Sequence, residues 1–318
     1  MDGLRYGIYP GGRAGETCAK PDDPGRIATL VDELAGGQPF LVREYVHFLP
    51  DRPAVVDALG AATEMDQLTM PDDWYLSGGR ELDLVLSYLP AAADLPGWLR
   101  FIDQVLDRYG HLVRCLQVTL EPNFPIPLID GSSPGVLDAL TVGLPYARRR
   151  VADDVRVGFS VAEPPEWLGG DDAFWSFLTT IPYGEFAAHV DYVGLGLYPD
   201  AFGPVPPGVS GPLATQALRQ LRTRIDPATP LHVSENGSPG GGARTLAEQA
   251  TSLADMLAAV RACADELNVT AYELFSLRDA DTAEGSPLGT LGLTDDSYAP
   301  KPAFAAYRAA IPRPERSP

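Results

Sequence analysis

The sequence predicts a closed (β/α)8 TIM barrel, an α/β fold in which eight parallel strands alternate with helices. Eight short apolar, strand-like segments recur along the 318 residues, and each is followed by a helical or broken helical segment. Several of these segments are almost continuously apolar, which is typical of parallel strands buried on both faces. No linker interrupts the series, so we expect a single domain over 1–318 with a frayed tail at 312–318.

The predicted strands are bounded by turn residues or by helix-start signals. In chain order they are 4–9, 40–48, 82–89, 116–120, 155–161, 191–198, 231–234 and 269–277. Asp23 followed by Pro24 predicts the start of the first helix, because Asp is a good N-cap and Pro suits the first helical position. The other predicted helices are 52–62, 96–109, 134–150, 171–189 with a break near Pro182, 213–224, 246–267 and 302–310.

A doubly wound open sheet is the alternative fold for alternating strands and helices. In that fold the first strand leads into a GxGxxG turn that binds a dinucleotide. Here the first strand leads into YPGGRAG at 9–15, which has the glycines but the wrong spacing. We therefore favour the barrel and interpret this segment as a turn.

The excess of acidic residues restricts the kinds of molecule that this chain is expected to bind. The chain has 24 Lys and Arg against 43 Asp and Glu, a formal net charge of −19. Nucleic acid and anionic membranes require clustered basic side chains, so we expect neither as a partner. Neutral or cationic small molecules fit this balance, although acidity also serves ordinary surface solvation. The sequence predicts no particular oligomeric state.

The cysteines and the N-terminal segment indicate the compartment. Three cysteines lie far apart without a CxxC pair, which favours a reducing environment over a disulfide framework. The chain opens MDGLRYGIYP, without the apolar core of a signal peptide, and has no run of about 20 apolar residues. We therefore expect a cytoplasmic protein. No HxH or HExxH motif occurs, so no metal and no organic cofactor is predicted.

Two glutamates follow predicted strands in the same way. LQVTLEPN at 116–123 runs from apolar residues into Glu121 and a turn, and LHVSENG at 231–237 does the same at Glu235. The carboxyl ends of barrel strands meet at one rim, so acids after the fourth and seventh strands face each other across the mouth. Two opposed carboxyls can cleave a glycosidic bond, one donating a proton and the other attacking. Taken singly, each acid could equally be a loop residue or a salt-bridge partner.

This ordered set resembles the retaining TIM-barrel glycosidases of glycoside hydrolase clan A. LEPN at 120–123 is similar to the clan's acid/base motif, and SENG at 234–237 is similar to its nucleophile strand. The segment LGLTDDSYAPKPAFAAY at 291–307 is similar to the clan's closing strand-eight loop and final helix. The resemblance implies that Glu121 is the general acid/base and that Glu235 is the nucleophile.

Two further residues fit this resemblance. Arg43 on the second strand and Tyr198 at the end of the sixth resemble residues that support the nucleophile in many members of the clan. A cation beside Glu235 would favour its ionised form, whereas Glu121 follows the apolar Leu120 and would be kept protonated by desolvation. A carboxyl separation of about 5–5.5 Å would mean retention, and roughly 6.5–9.5 Å would mean inversion.

Leu120 departs from the family pattern. The resemblance implies an asparagine at this position that binds the sugar 2-hydroxyl, an interaction that strengthens in the transition state. Three explanations are open: the substrate lacks an ordinary 2-hydroxyl, Asn123 or Asn236 supplies the contact, or the barrel no longer hydrolyses glycosides.

Other candidates would line the mouth. The clan often places a tryptophan on the eighth strand as a sugar platform; here Tyr272 or Phe275 would have to serve. Trp167, after the fifth strand, is a second candidate platform, and His47 near the end of the second strand could reach the site. Glu273 is either a third site acid or the partner of an arginine inside the barrel.

The resemblance therefore implies retaining hydrolysis of an O-glycosidic bond, without metal or cofactor, and the expected cytoplasmic location favours a small-molecule glycoside as the substrate. Two alternatives remain. One is a glycosidase-like barrel recruited to non-hydrolytic acid/base chemistry, and the other is a sugar-binding pseudoenzyme. Leu120 is the feature that keeps both open.

Overall fold

Eight parallel strands close into one barrel in the order of the chain, which confirms the predicted (β/α)8 fold. The computed structural model describes residues 3–13, 18–50, 67–163, 169–200, 203 and 205–313. The strands are β1 Arg5–Ile8, β2 Phe40–Phe48, β3 Arg80–Tyr88, β4 Val113–Val118, β5 Arg156–Ala162, β6 Tyr192–Leu197, β7 Leu231–Asn236 and β8 Val269–Leu274.

Helices alternate with these strands and cover the outside of the barrel. Those among the described residues are α1 Pro24–Ala35, α2 Asp72–Tyr75, α3 Leu95–Tyr109, α4 Val136–Arg148, α5 Asp172–Thr179, α6 Ser210–Arg222, α7 Leu246–Leu267 and α8 Pro302–Ala310. The predicted cap is present, since the Asp23 side chain accepts from the backbone N–H of Gly25 at 2.9 Å. None of these helices is long and apolar enough to cross a bilayer. The predicted helix 52–62 and residues 314–318 of the predicted tail lie outside the described residues.

Several predicted boundaries were wrong, and those of the fourth and seventh strands bear on the candidate acids. The fourth strand starts at Val113 rather than Leu116, and it ends at Val118 before the candidate acid is reached. The seventh strand continues through Glu235 to Asn236. The helix predicted over 171–189 ends at Thr179, and two short 3-10 turns follow it after Pro182.

The barrel interior is apolar at one end and polar above it. A small apolar cluster near the N-terminal ends of the strands consists of Leu41, Cys115, Tyr192 and Ala271. Above it lie fully buried polar side chains, which include Arg43, Asp83, Gln117, His232 and Glu273. Barrel interiors are usually filled by branched apolar residues. A buried polar interior is costly unless its groups are paired, so this end of the barrel is where the pairing of the side chains matters most.

Candidate active site

Glu235 is held by three hydrogen-bond donors at the carboxyl end of β7. The Tyr45 hydroxyl donates to Oε1 at 2.7 Å, and the Tyr198 hydroxyl donates to Oε2 at 3.0 Å. Nη2 of Arg43 lies 3.4 Å from Oε1. Donors aimed at both oxygens stabilise the ionised carboxylate and fix its orientation.

Arg43 is itself fixed by every arm of its guanidinium. The side chain is fully buried, with Nε donating to the Tyr45 hydroxyl at 2.7 Å and Nη1 donating to Oδ2 of Asp83 at 2.8 Å. Nη2 donates to Oε1 of Gln117 at 2.8 Å in addition to its contact with Glu235. The planar fork of an arginine suits such multiple contacts, so Arg43 links Glu235 to β3 and β4.

Glu121 lies in a sharply turned segment just after β4. Thr119 and Glu121 both have positive φ, at 68° and 49°, a conformation that non-glycine residues seldom adopt. The turn places the Glu121 carboxyl directly over Gly196 of β6, where an added Cβ would overlap Oε1 of Glu121. Gly196 pairs with Glu235 on β7, where the register shifts by one residue at Ser234. Because neighbouring strands lie about 4.8 Å apart, the two acids meet at one place on the rim.

Burial holds Glu121 in its protonated form. The side chain is nearly buried, and desolvation, followed by the negative charge of Glu235, raises its pKa to about 8. The positive charge of Arg43 opposes this shift only in part. Burial therefore favours the protonated form of Glu121, while Glu235 accepts three hydrogen bonds, an arrangement that would suit acid/base chemistry.

Asp130 fixes the turn that carries Glu121. This fully buried side chain accepts from the Ser87 hydroxyl at 2.6 Å and from the backbone N–H of Tyr88 and of Leu120, each at 2.7 Å. Burial raises the Asp130 pKa to about 6 against the opposing effect of these hydrogen bonds. Asp130 thus ties the end of β3 to the backbone immediately before the candidate acid.

A chain of hydrogen bonds joins the two halves of the site. Gln117 accepts from Arg43, and its amide nitrogen donates to the Ser160 hydroxyl at 2.9 Å and to the Thr119 carbonyl at 3.0 Å. The Ser160 hydroxyl in turn accepts from the backbone N–H of Glu121 at 3.3 Å. The position of one acid is therefore linked to that of the other through β4 and β5.

Aromatic side chains lie beside Glu235 at the rim. Phe275 is half-buried after β8 and stacks on Tyr9, with ring centroids 4.9 Å apart and planes 13° apart. Tyr45 meets both rings edge-on, at 5.2 Å from Tyr9 and 6.0 Å from Phe275. A flat, partly exposed aromatic surface beside a carboxyl pair suits the apolar face of a sugar ring.

Three residues predicted to contact the substrate, Asn123, Asn236 and Tyr272, point away from the mouth of the barrel. The Asn123 amide is used on both sides: its oxygen accepts from the Ala162 N–H at 2.9 Å, and its nitrogen donates to the Ala162 carbonyl and to Asp171, each at 2.9 Å. Asn236 donates to the Leu197 carbonyl at 2.6 Å and accepts from the Tyr272 hydroxyl. These amides join strands, so neither is available to replace the family's asparagine.

The other residues predicted to line the site are His47, Glu273 and Trp167. His47 is half-buried and close enough to Asp130 to lower the pKa of that carboxyl. Glu273 lies inside the barrel beneath Arg43, fully buried. Trp167 lies outside the described residues. No group of three or more His, Cys, Asp or Glu side chains within the described ranges is placed to bind a metal ion.

Several residues of the site were not predicted from the sequence. Tyr45 follows Arg43 by two positions, so the alternation of a β-strand places both on one face and could have identified it. Asp130 and Ser160 carry no comparable signal, because their roles depend on contacts between distant segments. Gly196 lies in a predicted strand, where a glycine often marks the close approach of another group.

Similar folds come from glycoside hydrolases. No protein-family model and no curated protein sequence matches this chain. A family 39 glycoside hydrolase from Bacteroides cellulosilyticus WH2 has a TM-score of 0.64 at 15% identity, covering 97% of this chain and 63% of its own. A GH113 β-1,4-mannanase has a TM-score of 0.58 at 12% identity, covering 97% of each chain. A family 1 β-glucosidase from Thermotoga maritima has a TM-score of 0.60 at 10% identity, covering 98% of this chain and 97% of its own.

These neighbours are clan A glycoside hydrolases with the same closed barrel, so the predicted resemblance is confirmed for the fold. At 10% to 15% identity, fold is what the chains share. This chain spans 63% of the family 39 enzyme.

Proposed function

We propose that this protein is a retaining glycoside hydrolase that cleaves the O-glycosidic bond of a small-molecule glycoside. One observation carries the proposal: Glu121, with a pKa raised to about 8, lies over the strand partner of Glu235, which accepts from three donors. Two carboxyls with opposite protonation preferences on one rim suit proton donation by one and attack by the other.

In the first step, protonated Glu121 donates its proton to the glycosidic oxygen as the bond to the anomeric carbon breaks. An ionised oxygen of Glu235 attacks that carbon and forms a glycosyl ester, which inverts the anomeric centre. As charge leaves Glu235, Tyr45 and Tyr198 continue to orient its carboxyl. The aglycone leaves as an alcohol.

In the second step, the ionised Glu121 takes a proton from a water molecule. The resulting hydroxide attacks the anomeric carbon, the ester bond to Glu235 breaks, and a second inversion gives net retention. Formation of the ester favours this reversal of role, because the charge of Glu235 no longer raises the pKa of Glu121 while the ester persists.

The deciding experiment is a panel of nitrophenyl glycosides, followed by NMR assignment of the first-formed anomer. A 2-fluoro glycoside with a good leaving group should label Glu235, as detected by mass spectrometry of the digested protein. Full activity in a Glu235→Ala variant, or an inverted product, would contradict the proposal.

A Glu121→Ala variant tests the acid role separately. Because a dinitrophenolate leaves without protonation, its release should survive far better than that of an alkyl aglycone. For the wild type, kcat/KM should fall as pH rises through about 8, where free Glu121 loses its proton. Equal loss on both leaving groups would argue against general acid catalysis by Glu121.

A second candidate function is non-hydrolytic acid/base chemistry on a small molecule. Leu120 favours it, because leucine cannot make the family's contact with the sugar 2-hydroxyl. The amides of Asn123 and Asn236 are both engaged in other hydrogen bonds, so neither asparagine replaces that contact. Hydrolysis of 2-deoxy glycosides in preference to ordinary ones would favour the glycosidase with an altered substrate. Binding of glycosides without turnover would indicate a sugar-binding pseudoenzyme, and neither binding nor turnover would favour the recruited barrel.

A further inference from the structure

Two fully buried carboxyls lie beneath Arg43, deeper in the barrel than the candidate catalytic pair. Asp83 on β3 accepts from Arg43 through Oδ2 at 2.8 Å, but its Oδ1 receives no hydrogen bond within the part of the chain described. Both oxygens of Glu273 on β8 likewise lack a donor there. Three orphaned carboxyl oxygens in a closed interior would each carry a desolvation cost if both groups were ionised.

The strand register brings these carboxyls together. Glu273 pairs with Gly7 on β1, where an added Cβ would lie 2.9 Å from Cγ of Glu273. The absence of a side chain at Gly7 leaves room for the Glu273 side chain in the interior, where Asp83 is a hydrogen-bonding neighbour of its carboxyl. A contact between two acceptors is favourable only when a proton lies between them.

The surrounding charges do not neutralise two anions. Arg43 from β2 and Arg156 from β5 are the cations that act on Glu273, and Arg43 is shared with Glu235. The other titratable groups that interact with Glu273 are neutral in ordinary conditions: Cys115 from β4, Tyr192 from β6 and Tyr307 from α8. His232 from β7 is also buried in the interior, and burial and neighbouring arginines lower its pKa well below the usual range, so it adds no positive charge.

We propose that Asp83 and Glu273 share one proton, and that this acid pair is the positioning device that holds Arg43 beneath Glu235. Glu273 donates its O–H to Oδ1 of Asp83, and Asp83 keeps the negative charge that pairs with Nη1 of Arg43. Nη2 of Arg43 is then left to Gln117 and Glu235. If Asp83 and Glu273 were both ionised, their two negative charges would draw the Arg43 guanidinium deeper into the barrel and away from Glu235.

The direction of the Glu273 pKa agrees with this arrangement. Burial, followed by the negative charge of Asp83, raises the pKa of Glu273 well above its usual range. The charges of Arg43 and Arg156 oppose that shift without reversing it.

Infrared difference spectra at pH 7, wild type minus variant, detect the shared proton through the carbonyl stretch of a protonated carboxyl, because the bands of Glu121 and Glu44, which also hold protons near this pH, cancel in the difference. The wild type should show this band for the pair, and Glu273→Gln should lose it. Asp83→Asn should lose it as well, because its amide donates to Glu273, which then ionises against Arg43. The exposed Asp153→Asn variant is the matched control and should leave the band intact. A band kept by Asp83→Asn would indicate a lone buried acid, and a band kept by both variants would overturn the proposal.

Proton release on unfolding gives a second measurement. In weakly buffered urea at pH 7, the wild type should release one proton more per molecule than Glu273→Gln, because the unfolded glutamate ionises. Equal release would contradict the shared proton. If Glu273→Gln fails to fold, Asp83→Asn answers the same question in both assays.

The positioning role rests on the proposed function, whereas the shared proton does not. Glu273→Gln still offers an N–H to Asp83, but Glu273→Leu does not, so the Leu variant should lose at least tenfold more kcat than the Gln variant at equal folded fraction. Equal kcat in the two variants would remove the positioning role and leave the infrared result standing. Absence of turnover in the wild type would remove the proposed function alone.

Discussion

Gly196 occupies the point at which the two candidate carboxyls meet. Its missing side chain leaves the space that the Glu121 carboxyl fills, and its strand partner is Glu235. Its φ lies outside the left-handed region, so alanine can adopt the same backbone conformation. The position of the Glu121 carboxyl therefore requires a glycine at 196.

We expect Gly196→Ala to lower kcat/KM by about 10²-fold, the usual cost of misplacing a catalytic group by about 1 Å. The added Cβ displaces the flexible end of Glu121 and leaves β6 in place, so thermal unfolding should change little. Gly184→Ala is the control, because a Cβ at Gly184 meets open space. Full activity in Gly196→Ala would show that Glu121 acts from another position.

The segment after β4 stores strain that other elements must balance. Two non-glycine residues with left-handed φ, Thr119 and Glu121, each cost roughly 1–2 kcal/mol. The constraint comes from Asp130, which binds the backbone N–H of Leu120 and of Tyr88 at the end of β3. The position of Glu121 thus depends on the following loop, which contains Asp130.

Asp130→Ala should release this segment. It removes the acceptor for two buried backbone N–H groups, so we expect a loss of about 1–3 kcal/mol of stability for each unsatisfied group and a large fall in kcat. Asp130→Asn should recover much of both, because the amide oxygen can accept from the two N–H groups while its nitrogen donates to Ser87. Urea unfolding and steady-state kinetics on the three proteins measure this. Equal activity in the Ala and Asn variants would exclude a role for the acceptor.

The closing helix α8 is joined to the loop after β8 by a buried ion pair. Nζ of Lys301 donates to Oδ1 of Asp279 at 2.6 Å, and both side chains are almost inaccessible. Removing one partner of such a pair leaves an unpaired buried charge, which costs about 3–5 kcal/mol.

Lys301→Met should therefore lower the free energy of unfolding by about that amount. Lys20→Met is the control, because the Lys20–Asp296 pair is half-exposed and worth about 1 kcal/mol or less. The double variant Lys301→Met/Asp279→Asn should recover part of the loss, since no charge remains buried. A Lys301 variant as stable as the Lys20 variant would show that Asp279 is neutralised in another way.

The order of elements was predictable because parallel strands and amphipathic helices leave local patterns. The β2 bounds Phe40–Phe48 and the α7 bounds Leu246–Leu267 were predicted to the residue, since apolar runs and turn signals lie at both ends. The roles of Asn123 and Asn236 were not predictable in the same way. Each amide is engaged by backbone groups that are about 39 residues away, a distance over which sequence patterns carry no information on pairing.

Across the whole molecule, burial raises the pKa of several carboxyls. Glu44 on β2 is the example most remote from the proposed chemistry: burial raises its pKa to about 7, although Tyr75 and Thr69 donate to its oxygens. Asp130 and Glu121 have pKa values raised to about 6 and about 8. The folded chain therefore holds protons that the unfolded chain has already released.

The sign of this linkage predicts the pH dependence of stability. Between the unfolded pKa values near 4 and the raised folded values, the native state binds more protons, so the free energy of unfolding falls as pH rises. Each such group contributes at most about 1.4 kcal/mol per pH unit within its own window. We expect the urea midpoint to be higher at pH 5.5 than at pH 8.

Glu44→Gln isolates one of these contributions. The amide preserves the shape and hydrogen bonds of the side chain but binds no proton, so the variant should lose stability less steeply than the wild type between about pH 4.5 and 7, the window set by the Glu44 pKa. The exposed Glu185→Gln variant should follow the wild type. An equal slope in the wild type and in Glu44→Gln would mean that Glu44 ionises in the folded state as it does in the unfolded chain.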